Sequence, residues 1–314
     1  MVHAEGEGDH GPEHDADEKD FELGQHGGSH LKHSERARAR KVGRFRAALI
    51  VAAVCSAGAA GADPRMAPGW TCAIVAEGLP AVDNLAFAAD GALYATLELA
   101  RGGRLVRLDA GRPRTVLGEL DRPDGLHIRD DRAYVTEEVM NGRVLEVELA
   151  TGRTRTLARL RAPEGIAVLP DGDVLVTEDR MDGRLLRVRR RGTVETVLAS
   201  LARPEGIAAG GDGTVYVAET ATGRILRYRN GERSVTFEGL TQPDQVALAP
   251  DGALWITEDA SPGRLLRLID ERLETIAMGL TFPQGIALAL DGRVMVAEQG
   301  RARVLAIARR KSPQ

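Results

Sequence analysis

A sixfold internal repeat constrains the fold of this chain more than any other feature of its sequence. After Leu79 the chain reads PAVDNLAFAADGALYATLE, and five related phrases follow: RPDGLHIRDDRAYVTEE, APEGIAVLPDGDVLVTED, RPEGIAAGGDGTVYVAET, QPDQVALAPDGALWITED and FPQGIALALDGRVMVAEQ. The prolines that mark the six units lie 43, 40, 41, 39 and 40 residues apart. A period near 40 residues is typical of solenoids and propellers.

Each unit has the pattern of four β-strands. A short apolar run such as GIAV predicts strand a, and it ends at a turn that carries Asp-Gly in five units, which is a hairpin signal. A second run such as DVLVTE predicts strand b, an Arg opens strand c in all six units, and TVETVLASL is typical of the weaker strand d. Four antiparallel strands form one propeller blade, and a closed ring of blades leaves no long open sheet edge.

The two ends of the repeat region predict how the ring closes. The sixth unit ends at VLAIARR, soon after its strand c, and has no strand d. The segment TCAIVAEGL, residues 71–79, precedes the first unit and resembles the strand-d endings TVLASL and TIAMGL. We therefore predict an all-β, six-bladed β-propeller over residues 63–314, with four-stranded blades and an N-terminal strand that closes the last blade.

The segment before the repeat has a different composition. Residues 1–41 hold six of the seven histidines among Gly, Asp and Glu, without apolar periodicity, and we expect this segment to be disordered. Residues 42–62 resemble a signal peptide, because two arginines precede an Ala-rich apolar run that ends in Ala60-Gly61-Ala62. We expect cleavage after Ala62, a periplasmic or secreted protein, and no stable membrane span after cleavage. An uncleaved N-terminal membrane anchor is the alternative.

The starts of the inner strands carry a series of acidic residues. Strand a of every blade lines the axis of a propeller, so these residues meet at one mouth of the central channel. Clustered carboxylates raise one another's pKa unless a cation lies among them, and oxygen ligands suit Ca²⁺ or Mg²⁺. With a two-residue insertion in the first unit, we predict a site for a divalent metal or a cationic ligand at Asp83, Asp124, Glu164, Glu205, Asp244 and Gln284.

A structural interpretation of these carboxylates stays open at this point. Each acid could cap its own turn or pair with an arginine, and Arg122 and Arg203 lie two positions before their own acids. A second acidic series ends strand b, and the Arg of strand c follows each member within a few residues. For this second series we expect ion pairs within the blades, at Glu137, Glu178, Glu219, Glu258 and Glu298.

His127 is the only histidine in the repeat region, and the other five units have Ala at the equivalent position. It lies three residues after Asp124, and an imidazole can titrate near neutral pH. Asp124 and His127 are therefore the candidates for proton transfer. A packing role for His127 is the alternative.

Composition narrows the classes of function. The net charge is −4, so no overall field attracts nucleic acid or acidic lipid, and aromatic residues, at 4%, offer few stacking surfaces. Cys72 is the only cysteine after the predicted signal peptide, which excludes an intrachain disulfide framework. We expect a monomer that binds a small-molecule ligand or a protein partner at the channel face and binds no nucleic acid.

The phrases RPDGLH and RPEGIA…PDG…VYVAET…GRILRY resemble the NHL-type and the senescence-marker/gluconolactonase-like six-bladed propellers, over about residues 71–310. For the gluconolactonase-like group, this resemblance implies a divalent metal at the channel mouth, held by Glu, Asn and Asp at the start of inner strands. Asp124, in Pro123-Asp124-Gly125, is the closest match to that family's ligand and general-base Asp, whereas no Asn occupies the predicted ring. The phrase DGALWITED also resembles a repeat of virginiamycin B lyase, a family with seven blades and functional histidines.

The resemblance implies a metal-dependent hydrolase of the lactonase or esterase type, with its site at the channel mouth, and the signal-peptide pattern adds that it is exported. In this hypothesis the cation polarises a carbonyl group, Asp124 takes a proton from a bound water, and His127 assists. A non-catalytic NHL-like propeller that binds a protein or a small ligand is the alternative, and the regularity of the units favours it. A lyase of the virginiamycin B lyase type is a third hypothesis.

Overall fold

Each repeat unit forms its own antiparallel sheet in the computed structural model, which describes residues 63–110 and 112–310. The segments predicted to be disordered, 1–41, and to form the signal peptide, 42–62, lie outside the described residues. Those two expectations stay predictions.

The strands follow one another in the order that the repeat predicts. Two strands precede the first unit: β1 (Arg65–Met66) and β2 (Trp70–Glu77). Blade one contains β3 (Val82–Phe87), β4 (Leu93–Leu97), β5 (Gly103–Asp109) and β6 (Arg112–Leu120). Blade two contains β7 (Pro123–Arg129), β8 (Arg132–Glu137), β9 (Met140–Glu148) and β10 (Thr154–Arg161). Blade three contains β11 (Pro163–Val168), β12 (Val174–Glu178), β13 (Gly183–Val188) and β14 (Val194–Leu201).

The second half of the ring repeats this arrangement. Blade four contains β15 (Pro204–Ala209), β16 (Val215–Glu219), β17 (Arg224–Arg229) and β18 (Glu232–Glu238). Blade five contains β19 (Pro243–Leu248), β20 (Leu254–Glu258), β21 (Gly263–Ile269) and β22 (Arg272–Leu280). Blade six contains β23 (Pro283–Leu288), β24 (Val294–Glu298) and β25 (Arg303–Arg309). Short 3₁₀ turns lie at Thr220–Thr222 and Gln299–Arg301.

The N-terminal strand closes the ring as predicted. β2 pairs antiparallel with β25, from Trp70 opposite Arg309 to Glu77 opposite Arg303, so it is the fourth strand of blade six. The inner strands β3, β7, β11, β15, β19 and β23 contact one another in cyclic order, with β23 against β3. The six-bladed propeller is therefore confirmed. The sequence did not predict β1, which adds a short fifth strand to blade five by pairing with β22.

The hydrophobic core lies between neighbouring sheets. Inner and middle strands are buried along their length, as in β12, whereas an outer strand such as β14 is mostly exposed. One core cluster joins Tyr134 and Val144 of blade two to Ile166, Val176 and Leu186 of blade three. Every blade buries apolar side chains against both neighbours, so the ring is held by burial of apolar surface between sheets.

The register of the inner strands shows how the first blade accommodates its two-residue insertion. Pro123 pairs with Glu137 at the mouth end of blade two, and Val82 pairs with Leu97 at the same point of blade one. Val82 therefore takes the place that proline has in the other blades. This register makes Asp83 the structural equivalent of Asp124.

The residue before each inner strand has a left-handed backbone, with φ between +44° and +51° in all six blades. Its carbonyl oxygen accepts a hydrogen bond from the backbone N–H of the residue that follows strand b, as from Glu138 to Arg122 at 2.8 Å. The same bond runs from Asp179 to Ala162 at 2.9 Å. It fixes the residue after strand b beside the start of strand a. The six left-handed residues are Ala81, Arg122, Ala162, Arg203, Gln242 and Phe282.

Among the described residues, no helix has the length and apolar character needed to cross a membrane.

Candidate functional site

The six residues predicted to form a ring surround one mouth of the channel, and each is 4–8% exposed. Oxygen atoms of Glu164, Glu205 and Asp244 lie within 4.8 Å of one another. Asp83 and Asp124 form a second such group, together with Glu98. The sixth member, Gln284, lies beside the carboxylate of Asp259. Sixfold symmetry thus brings together acids that are far apart in the sequence.

Threonines of strand b hold the backbone of the ring. The Thr136 hydroxyl donates to the carbonyl oxygen of Glu164 in the next blade at 2.6 Å, and the Thr177 hydroxyl donates to that of Glu205 at 2.7 Å. The remaining bonds of this kind run from Thr96 to Asp124 and from Thr257 to Gln284. Each bond joins one blade to the next, so contacts between blades fix the position of the ring residues along the channel axis.

A glycine follows the ring residue in four blades because inner strands approach closely there. A Cβ at Gly165 would lie 2.3 Å from the carbonyl oxygen of Glu205, and a Cβ at Gly125 would lie 2.1 Å from that of Glu164. Neither backbone oxygen can move without shifting its strand. The glycine of the Pro-acid-Gly phrase is therefore a requirement of packing in these blades.

Two blades have an amide in place of that glycine, and the sequence analysis did not single out either residue. Asn84 in blade one donates from Nδ2 to Asp83 Oδ1 at 3.0 Å and to Asp124 Oδ1 at 3.1 Å. Gln245 in blade five donates from Nε2 to Asn84 Oδ1 at 2.5 Å. We call these two residues the amide pair. The sequence could have indicated these two residues, because the other four blades have glycine at the same position.

A second tier of polar residues lies beside the ring, and it was also missed. Its members directly follow strand b: Glu98, Glu138, Asp179, Thr220, Asp259 and Gln299. The backbone bonds to the left-handed residues place them at the mouth. Glu138, Glu164 and Asp179 form a third group with oxygen atoms within 4.8 Å.

Two arginines form ion pairs with residues of this second tier. The Arg122 guanidinium donates to Glu98 Oε1 at 2.8 Å and pairs with Glu138. The Arg203 guanidinium binds Asp179 through two nitrogens, at 2.9 and 2.7 Å, and donates to Glu205 Oε1 at 2.9 Å. The alternative that each ring acid pairs with the arginine two positions before it is thus met for Glu205 alone, because Arg122 does not pair with Asp124 within the described part of the chain.

The glutamates that end strand b have the structural role expected of them in four blades. Arg143 binds Glu137, Arg184 binds Glu178, Arg264 binds Glu258 and Arg303 binds Glu298. Each glutamate also accepts a backbone N–H from the loop before its own blade, as Glu137 does from Asp121 at 2.9 Å. Blade four differs, because Thr222 donates to Glu219 while Arg224 pairs with Glu238 at 3.4 Å.

Burial dominates the electrostatics of the ring. It raises the pKa of Asp83, Asp124, Glu164 and Asp244 well above the usual carboxyl range, and neighbouring carboxylates add to the effect. Burial raises the pKa of Glu205 to about 8, although the Thr220 hydrogen bond and the Arg203 charge oppose it. It also raises the pKa of Glu138 to about 7. The mouth therefore holds carboxyl groups that bind protons near neutral pH or need a cation to be ionised.

The partners of these carboxylates differ between the two sides of the mouth. On one side, N–H groups donate to Asp83, Asp124 and Glu98. On the other side, no described residue donates a hydrogen bond to the side chain of Glu164 or Asp244 or forms an ion pair with it. Nearby, Asp259 Oδ1 is buried without a hydrogen-bond partner among the described residues. Carboxylate oxygens that have no protein partner fit a hard divalent cation, which oxygen atoms bind well.

His127 lies in the channel rather than at the mouth. It lines a cavity of about 290 Å³ that is otherwise mainly aliphatic, and the amide pair also lines this cavity. None of the six ring residues lines it. Burial lowers the pKa of His127 to about 4, and the charge of Arg129 acts in the same direction. The imidazole is therefore neutral at pH 7, and no hydrogen bond joins it to Asp124 among the described residues.

Comparison with solved structures shows which known proteins share this fold. A gluconolactonase from Xanthomonas campestris superposes with a TM-score of 0.67 at 17% identity, over 81% of this chain and 98% of that chain. The two chains therefore share the propeller fold. The calcium-binding protein regucalcin from Agrobacterium tumefaciens superposes with a TM-score of 0.61 at 17% identity, over 76% of this chain and 95% of that chain.

The lyase resemblance also has a structural counterpart. A streptogramin B lyase superposes with a TM-score of 0.58 at 16% identity, over 76% of this chain and 97% of that chain. No protein-family profile matches the sequence, and no curated protein matches it at significant sequence similarity. At these identities the likeness to gluconolactonase-like propellers establishes the fold, and the chemistry of the mouth has to be argued from its own residues.

Proposed function

We propose that this protein is an exported, metal-dependent hydrolase that acts on a small lactone or ester at the channel mouth. The observation that carries the proposal is the group of buried carboxylates at Glu164, Glu205 and Asp244, which includes two side chains without a protein partner among the described residues. The superposition on a gluconolactonase and on a calcium-binding propeller supports it.

Glu164, Glu205 and Asp244 would hold the cation, with the unpartnered oxygen of Asp259 nearby. An all-oxygen set of this kind suits Ca²⁺ or Mg²⁺. Such an ion supplies Lewis-acid polarisation of a substrate carbonyl and lowers the pKa of a bound water. Asp83 and Gln284 of the predicted ring would then support the site, since Asp83 is already hydrogen-bonded within the protein and Gln284 lies beside Asp259.

Asp124 is the proposed general base. Its Oδ1 accepts the Asn84 amide, whereas its Oδ2 accepts no hydrogen bond from the described residues. The free oxygen is thus available to take a proton from a water molecule at the mouth. Burial and the charges of Asp83 and Glu98 raise the pKa of Asp124, which makes its carboxylate a stronger base.

The proposed contribution of His127 is indirect. The amide pair lies at the mouth end of the cavity that His127 lines, so a proton passing between His127 and the mouth must cross these amides or travel through water. Asp124 therefore carries the proton transfer in this proposal, and His127 has a supporting role.

The charge of the mouth selects a class of substrate. Two arginines, Arg122 and Arg203, lie among nine carboxyl groups of the described residues, so acidic groups outnumber basic ones at the mouth even when one divalent cation is bound. Phosphorylated or carboxylated substrates would be repelled. We propose a neutral or positively charged lactone or ester. The nine are Asp83, Glu98, Asp124, Glu138, Glu164, Asp179, Glu205, Asp244 and Asp259.

Hydrolysis assays on uncharged aldonolactones and aryl esters test this function. We expect activity that is lost after chelation and dialysis and restored by Ca²⁺ or Mg²⁺. Asp124→Asn should lower kcat by about 100-fold or more, which is the scale of general-base catalysis, while the cation still binds. The matched control is Asp130→Asn, an exposed acid outside the mouth. Activity that survives chelation would contradict the proposal, and cation binding without hydrolysis would favour the ligand-binding alternative.

Export is proposed on the signal-peptide pattern of residues 42–62 alone. Sequencing the N-terminus of the protein isolated from the expressing cells should give Asp63 as the first residue. An N-terminus that includes the apolar run would favour the membrane-anchored alternative.

A further inference from the structure

The amide pair joins blade five to blades one and two across the channel, although Asn84 and Gln245 are 161 residues apart in the sequence. The backbone of each residue is also fixed. The Asn84 N–H donates to Thr96 Oγ1 at 2.9 Å, and the Gln245 N–H donates to Thr257 Oγ1 at 3.1 Å. Both side chains are buried, at 5% and 9% exposure. The pair is therefore a built element of the mouth and not a mobile surface contact.

The orientation of both amides follows from one backbone group. The Val246 N–H donates to Gln245 Oε1 at 3.0 Å, so the NH₂ group of Gln245 must face Asn84. Asn84 Oδ1 accepts that NH₂ group, and the Asn84 NH₂ group must then face the two aspartates. Amide orientation is determined by such networks, because oxygen and nitrogen differ in what they can donate. A flip of Asn84 would place its oxygen against two carboxylates.

This fixed NH₂ group takes up oxygen atoms that a cation would need. In the group Asp83, Glu98 and Asp124, Asn84 binds one oxygen of each aspartate, while Gln299 donates to Asp83 Oδ2 at 3.0 Å and to Glu98 Oε2 at 3.4 Å. Arg122 binds the other oxygen of Glu98. Five of the six carboxylate oxygens thus accept an N–H from the protein, and only Asp124 Oδ2 does not.

We propose that Asn84, oriented by Gln245, prevents a cation from binding at Asp83, Glu98 and Asp124, and so confines the metal to Glu164, Glu205 and Asp244. Hydrogen atoms of an amide carry partial positive charge and repel a cation that approaches the same two oxygens. In the opposite group Arg203 binds Glu205 Oε1, but no described residue donates a hydrogen bond to Glu164 or Asp244, so these two carboxylates stay open to a cation. Asn84 is a positioning residue in this account, and it leaves Asp124 Oδ2 as a base instead of a ligand.

The inference rests on the proposed cation site, and calcium stoichiometry tests the two separately. Isothermal titration calorimetry and equilibrium dialysis with Ca²⁺ should give a stoichiometry of one ion per wild-type chain. Asn84→Asp, which replaces the NH₂ group by an oxygen in a side chain of the same shape, should give two. Asn84→Gly, the residue that four other blades have at this position, removes the donor without adding charge and should also admit a second, more weakly bound ion.

Gln245→Glu tests the orientation, because it replaces the NH₂ group that faces Asn84 Oδ1 by an oxygen and so lets Asn84 turn its own oxygen toward the aspartates. It should also admit a second ion, whereas the control Asp130→Asn, an exposed acid outside the mouth, should keep a stoichiometry of one. A second ion in Asn84→Asp but not in Asn84→Gly would attribute the effect to added charge and would overturn the inference. One ion in wild type and still one in both Asn84 variants, each shown to be folded by circular dichroism, would overturn it as well.

The outcomes for the proposed function are different. If the wild-type chain binds no calcium and Asn84→Asp binds one ion, the exclusion by Asn84 holds and the proposed metal site fails. If the single wild-type ion is lost in Asp83→Asn and retained in Asp244→Asn, the cation occupies the group that Asn84 should close, and the inference is wrong.

Discussion

Neighbouring residues in the repeat serve opposite purposes in this propeller. Glu137 is held by Arg143 and by the backbone of Asp121, so its charge is neutralised within its own blade. Glu138, one position later, lies at the mouth, where burial raises its pKa to about 7. A one-residue step along the chain thus separates a structural carboxylate from one that can titrate near neutral pH.

The raised pKa values of the mouth predict how pH affects the protein. Glu138 and Glu205 have folded pKa values of about 7 and 8, above those of an unfolded chain, so the folded state binds more protons over this range. The metal-free protein should therefore lose stability as the pH rises from about 4.5 through 8. Calcium should oppose this loss, because it replaces the protons.

Thermal unfolding at pH 5.5 and pH 8.5, with and without Ca²⁺, checks this expectation. We expect a lower Tm for the metal-free protein at pH 8.5 and a larger increase of Tm by calcium at that pH. A calcium effect of equal size at both pH values would argue against a cation bound by these carboxylates.

His127 predicts a pH dependence of the opposite sign. Its folded pKa, about 4, lies below the usual value of 6.5, so its neutral form stabilises the protein above pH 6.5 and this contribution is lost as the pH falls towards 4. His127→Ala introduces the residue found in the other five blades. The Tm difference between wild type and His127→Ala should become less favourable to wild type between pH 7.5 and pH 5. A difference that does not change with pH would mean that His127 is not buried as a neutral imidazole.

At the scale of strands and turns, hydroxyl bonds between blades hold the ring of carboxylates in place. Thr177→Val removes the bond to the Glu205 carbonyl and leaves that oxygen unpaired in a buried position. We expect a loss of about 1–3 kcal/mol in the free energy of unfolding, measured in urea. Thr154→Val, at an exposed position of β10, is the control and should change stability by less than about 0.5 kcal/mol. Equal effects of the two changes would show that the hydroxyl bond does not stabilise the blade interface.

The strands and the ring could be predicted from the sequence because both follow from the period. Each inner strand begins at the same point of its unit, so Asp124 and Glu164 had to meet at the mouth once the propeller closed. The left-handed backbone before each proline could not be predicted in this way, since a proline favours an extended residue before it. The bond from the residue after strand b, such as Glu138 to Arg122, overrides that local preference.

The sequence analysis also did not predict that the carboxylates on the two sides of the mouth have different partners. Asn84 and Gln245 are visible in the sequence as replacements of a repeated glycine, but their hydrogen bond joins blades that are not neighbours in the chain. The second tier, which includes Glu138 and Asp179, could not be distinguished from the structural glutamates one position earlier without the strand register. The second tier and the structural glutamates differ in the residues that they contact in the folded chain, and not in residue type.

At the scale of the whole molecule, the propeller depends on its N-terminal strand for closure. β2 pairs with β25 over the full length of blade six, whereas β1 forms two residue pairs at the edge of blade five. A chain that begins at Gly69 should therefore fold, with a small loss of stability. A chain that begins at Gly78 should aggregate or remain unfolded, because the edge of β25 is exposed.

Size-exclusion chromatography and circular dichroism of the two truncated chains check this expectation. Equal thermal stability of both would show that the ring does not need β2. A loss of folding in the chain that begins at Gly69 would instead give β1 a larger part in closure than its two pairs indicate.

We propose that acids from different blades hold one divalent cation at the channel mouth. Anomalous diffraction from crystals grown with Mn²⁺, a substitute for Ca²⁺ or Mg²⁺ at oxygen sites, locates such an ion directly. We expect a single peak at the mouth, between Glu164, Glu205 and Asp244. A mouth without a peak, or a peak held by Asp83 and Asp124 instead, would contradict it.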